Sequence, residues 1–155
     1  ETSGWILTDQ GKNHLNALLA REREAAGAES MLTLAADRFE EINAPFVTLL
    51  SIWQLQSPAE QQAHRAQALD GLSGLAIDLG RTISPLAAGL ARFNRYTHQF
   101  TEALQKARAG EDRWVAGVGI LSCHTVWAEL HQDLLSSLGR TRGAQPGAEP
   151  TRPAP

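Results

Sequence analysis

The sequence predicts an all-α protein: a helical bundle of five or six helices, preceded by a short strand and followed by a disordered tail. Three observations carry that prediction. Leu32, Phe39, Phe46 and Trp53 repeat every seven residues, and Ala35, Ile42 and Leu49 form a second row beside them, which is the apolar stripe of a long helix. Helix-start signals alternate with glycine stops along the chain. Residues 140–155 are rich in Pro, Gly and Arg with no large apolar side chain, so they cannot offset the entropy of ordering.

Taken in order, Gly4-Trp5-Ile6-Leu7 is a β-competent run, and Thr8-Asp9 offers a cap for a helix over 9–26. Leu15, Leu18 and Leu19 share one face of that helix, and Gly27 interrupts it. The striped helix follows. Pro45 within it removes a backbone donor and crowds the preceding turn, which predicts a kink, since the stripe keeps its phase across the proline. Ser57-Pro58-Ala59-Glu60 is a capping box with proline at the first helical position, opening a helix to about Gly80. Ser84-Pro85 opens another through Phe93 and Phe100 to Ala109, with Gly110 as its stop. Ser122 caps the last, whose buried face is Val126, Trp127, Leu130 and Leu134, and Gly139 ends it.

A chain of 155 residues predicts one core without staples, and the lone Cys123 has no partner for an internal bridge. No apolar run is long enough to span a bilayer and Glu1 to Leu7 lacks the pattern of a secretory leader, so a cytoplasmic location with no membrane partner is expected. The missing initiator Met points to a processed or truncated start. Residues 1–139 hold eleven Lys and Arg against sixteen Asp and Glu. Such an acidic body lacks the concentrated basic surface that phosphate contact needs.

The search for chemistry finds no glycine-rich phosphate loop, nucleophile elbow, paired-cysteine zinc pattern or His-Glu-x-x-His, so neither an enzyme nor a cofactor is expected. Ser122, His124 and Glu129 share one helix and cannot converge as a triad. His124 and His131 invite a metal reading, but seven residues advance about 10.5 Å along a helix, too far for both rings to hold one ion. Arg92, Arg95, Tyr96 and His98 gather cationic and polar groups suited to an anion, against the alternative of a solvated face with Arg95 paired to an acid. Trp53, Trp114 and Trp127 read first as core, although three such rings can also enclose a pocket. Cys123 follows a capping serine, where backbone donors lower a thiol's pKa and favour redox sensing, while the lack of a second cysteine to resolve an oxidised state opposes it.

The run from Gly4 to Lys12, with Trp5, Leu7, Thr8 and Gly11, resembles the second wing strand and following helix that close a winged helix-turn-helix unit in MarR- and PadR-like regulators. Further blocks resemble the C-terminal region of a group of actinobacterial winged-helix regulators: Arg38-Phe39, Ile42-Asn43, Trp53-Gln54, Arg92 to Tyr96, Ala109-Gly110-Glu111 with Trp114, and His124 to Leu135. The chain departs from that pattern at Cys123, where the group has Tyr, and at Leu50-Ser51-Ile52, where it has Cys-Thr-Asp. The resemblance implies that 1–26 ends a winged-helix unit and links it to a helical effector-binding or dimerisation domain over 27–139. DNA would be read by a head upstream of Glu1, and winged-helix readers of palindromic sites are homodimers. An effector, anionic by the reading of Arg95, is expected between the helix bearing Arg95 and Tyr96 and the helix bearing His124, Trp127 and His131. The competing reading is a helical module that docks on a partner protein without DNA, and an enzyme-like small-molecule-binding bundle is third.

Overall fold

Residues 6–140 are described by a computed structural model. The elements are α1 (Asp9–Ala25), α2 (Glu29–Leu55), α3 (Pro58–Gly89), a 3-10 turn (Ala91–Phe93), α4 (Asn94–Arg108), α5 (Arg113–Ala116) and α6 (Cys123–Ser137). No strand occurs among the described residues. Ile6 to Thr8 carry no regular structure, because a strand needs a partner for its ladder hydrogen bonds and no second strand is described. Gly4, Trp5 and, apart from Arg140, the expected tail over 140–155 lie outside the described residues.

The local signals act as their chemistry requires. Thr8, Ser57 and Ser122 each accept a backbone N–H from the first turn of the helix that follows, and at Ser57 the Glu60 carboxylate accepts the serine N–H in return at 2.8 Å. The stops Gly27, Gly110 and Gly139 have φ of 57°, 105° and 68°, the left-handed region that a side chain disfavours.

The third and fourth helices divide differently from the expectation. α3 runs unbroken through Ser84-Pro85 to Gly89, and the chain turns at Leu90 instead. Pro85 removes only the N–H that would meet the carbonyl of Arg81, an exposed residue whose carbonyl can be hydrated, whereas Leu72, Leu75, Leu79, Ile83 and Leu86 keep one buried face in register across it. Burial outweighs one lost hydrogen bond. Likewise α2 passes Pro45 as one assigned helix.

α2 and α3 form an antiparallel hairpin, close enough that a Cβ at Gly71 would stand 2.6 Å from a Leu49 methyl and one at Gly89 2.8 Å from the Met31 methyl. α4 and α6 pack on this hairpin, and the heptad residues of α2 meet them in the centre. There the Trp127 indole stacks on Phe46 with ring centroids 4.1 Å apart and planes 9° from parallel, flanked by Phe39 and Phe100 at 4.9 and 5.6 Å. The core reading of Trp127 and Trp53 is what the structure has, since both are buried. α1 differs from the rest: it lies against α6 and contributes no buried residue.

Candidate functional site

The five residues singled out by sequence fall on two sides of α6. Arg95 and Tyr96, on α4, face Asp133. The Tyr96 hydroxyl donates to Asp133 Oδ2 at 2.7 Å and accepts from the Arg95 guanidinium, which also lies over the tyrosine ring at 4.6 Å. Arg92 completes this cluster. Its guanidinium spans both Asp133 oxygens at 2.6 Å, both Glu22 oxygens at 2.9 and 3.1 Å, and the Ser137 hydroxyl at 2.7 Å. Burial lowers the Arg92 pKa, but the carboxylates of Asp133 and Glu22 more than reverse this and raise it. The cluster is an internal clamp whose charges already answer one another, with Asp133 only 13% exposed.

His124, Trp127 and His131 lie about half a turn round α6 from Asp133, since each residue advances about 100° and nine separate His124 from Asp133. They face α2, with the Trp127 ring also reaching Phe100 of α4, and neither Arg95 nor Tyr96 lines their cleft, so the two groups are not brought into one pocket. Together with Asn43, Phe46, Val47, Leu50, Ser51 and Gln54 they line a cleft of about 330 Å³ between α2 and α6. The Trp127 N–H donates to Asn43 Oδ1 at 3.0 Å, and His131 Nε2 meets Glu40 Oε1 at 2.6 Å. Glu40 also accepts from Asn43 Nδ2 at 3.4 Å. His124, half-buried, has no hydrogen-bond partner among the described residues. The cleft thus has an apolar floor, two imidazoles on one wall, and beside His131 a carboxylate that is 54% exposed.

Several residues of this arrangement were not singled out: Asn43, Glu40, Asp133, Glu22 and Ser137. Asp133 and Ser137 stand four apart on α6, a spacing that puts them on one face, but a charged residue and a serine on a helix read as solvated. Cys123 is fully buried; burial pushes its thiol up to about 12, and the hydrogen bond at the helix start only partly opposes this. The lowered thiol that a redox sensor needs is therefore not what the structure has. His98 is exposed, and Trp114 lies under the Lys106 ammonium at 4.0 Å. Among the described residues no three His, Cys, Asp or Glu side chains are grouped to hold a metal, and no helix is long and apolar enough to cross a membrane. No protein-family model, curated protein or solved structure matches the chain.

Proposed function

We propose that the chain is the effector-sensing and dimerising domain of a cytoplasmic winged-helix transcription regulator, with a small ligand received in the α2–α6 cleft and DNA bound by a head preceding Glu1. One observation carries the sensing part: α6 bears His124, Trp127 and His131 on one face and, on the other, Asp133 and Ser137, which fasten α1 through Arg92. The Ser137 carbonyl also accepts from Arg23 of α1. A ligand that shifts α6 therefore acts on the helix leading to the DNA-binding head, provided it binds the two arrangements with different affinity. The imidazoles and Asn43 suit a carboxylate, which would replace Glu40 at His131 while an aromatic body lies along Val47 and Leu50.

The test uses benzoate as probe. Millimolar benzoate is expected to raise the melting temperature and to change amide hydrogen exchange across α1, with His131→Gln abolishing both effects. No binding removes the effector reading; binding without a response in α1 removes the transmission and leaves a ligand site alone. The alternative of a docking module draws on the apolar side chains Ile6, Leu7, Leu15 and Leu18, which are exposed together at the N-terminal end. Sequence-specific DNA binding by a polypeptide that includes residues preceding Glu1 supports the regulator over that alternative.

A further inference from the structure

Between α4 and the loop that joins α5 to α6 lies a cavity of about 240 Å³ that shares no residue with the cleft of His124 and His131. Its α4 wall is Gln99, Glu102, Ala103 and Lys106, which recur at helical spacing and so share one face. The facing wall is the Trp114 ring with Ile120 and Leu121, and the small Ala103 side chain leaves room between the two. Two hydrogen bonds hold the far wall in place. The Ser122 hydroxyl donates to the Gly117 carbonyl at 2.9 Å, closing the neck of the loop, and the Trp114 N–H donates to Glu111 Oε2 at 3.1 Å.

The polar groups of the lining are not equally answered. Glu102 and Lys106 pair at 2.7 Å, and the Lys106 ammonium lies over the Trp114 ring at 4.0 Å, so the cavity offers a ligand no net charge. Gln99 differs. Its Oε1 is shut off from solvent and has no hydrogen-bond partner among the described residues, and its amide nitrogen makes no hydrogen bond to a described residue either. Enclosing an acceptor without a donor is unfavourable, because the hydration lost on burial is not replaced. Turning this amide towards the cavity therefore breaks no hydrogen bond, and a donor placed there answers the oxygen.

We propose that this cavity binds an uncharged, flat aromatic molecule of one or two fused rings that carries one N–H donor, of which indole is the type, with the N–H given to Gln99 Oε1 and the rings lying against Ala103, Ile120 and Leu121. The volume is below the roughly 300–1,000 Å³ of drug-sized sites, which excludes a larger ligand. A donor is selected over an acceptor because a carbonyl ligand could meet only the amide nitrogen and would leave the enclosed oxygen unanswered. The site stands or falls independently of the regulatory reading.

Titration of the full chain with indole and with benzofuran, which has the same shape with an oxygen in place of the N–H, tests it by amide proton–nitrogen correlation NMR. Saturable shifts at the backbone amides of Ala103, Trp114 and Leu121 are expected with both. Indole should bind about threefold to tenfold more tightly, as for one net hydrogen bond, and should alone move the side-chain amide signal of Gln99. Gln99→Met should erase the preference for indole while benzofuran still binds; should that variant not fold, the affinity ratio and the Gln99 signal of the parent chain decide. Benzofuran binding as tightly as indole overturns the hydrogen bond to Gln99. Tryptamine binding more tightly than indole overturns the neutrality of the site, and shifts confined to other parts of the chain, or no saturable binding, overturn the proposal outright.

Discussion

At the scale of single residues the structure turns on how few polar groups are enclosed and how fully they are answered. Tyr96, with 1% of its surface exposed, is held at its hydroxyl by Asp133 and Arg95. Burial raises its pKa from 10.0 to about 12; the Arg95 hydrogen bond pulls it down, and Asp133 pushes it further up. Because the folded value lies above the unfolded one, the stabilisation is complete below pH 10 and is lost as pH rises through 10 towards 12, by about 2–3 kcal/mol. Tyr96 is the only tyrosine, so absorbance at 295 nm should titrate near 12 in the native protein and near 10 in urea. Tyr96→Phe should remove its share of the alkaline loss of stability. A native midpoint at 10 would contradict the buried cluster.

At the scale of elements, α1 is fastened by charge and the other long helices by burial. Its attachments are Glu22 to Arg92 and Arg23 to the Ser137 carbonyl, joined by Arg23 to Glu29 at 3.1 Å. Helices that bury little open first. We therefore expect amides of α1 to exchange faster than those of α2 or α6, and 1 M sodium chloride to accelerate α1 selectively, because the Debye length falls to about 3 Å. Arg92→Ala should have the same effect at low salt and cost about 2–3 kcal/mol, because Asp133 loses its two-pronged cation and keeps only Tyr96, Ser137 and the more distant Arg95. Equal protection of α1 and α2 would refute this.

The same scale shows what was legible in the sequence. Serine caps and glycine stops were readable because each acts within four residues of itself. The run of α3 through Ser84-Pro85 was not, since a proline-preceded-by-serine signal competes there with a buried face that only the packed hairpin makes decisive. His124, Trp127 and His131 were found together because they share one helix face. Sequence alone places Arg95 and Tyr96 in the same pocket, whereas they sit on the other side of α6, a difference set by rotation about the helix and by the partners that Asp133 draws from the 3-10 turn and α4.

For the whole molecule, one contiguous core runs from Ala28 to Leu134, and the apolar side chains of α1 remain outside it. If the exposed leucines of α1 form the contact between two copies of the proposed regulator, light scattering at tens of micromolar should give a dimer. The double variant Leu15→Glu, Leu18→Glu should then be a monomer that keeps its helical circular dichroism and melts independently of concentration, since neither leucine is buried within the chain. A monomeric parent protein would discard α1 as the dimer contact.

α2 carries a hollow on either flank: Asn43, Val47 and Leu50 line the cleft towards α6, while Pro45, Leu49 and Ile52 line a groove towards α3. Because one helix supplies a wall to both, benzoate that displaces α2 in the cleft is expected to alter amide exchange across residues 46–53 on the far flank as well.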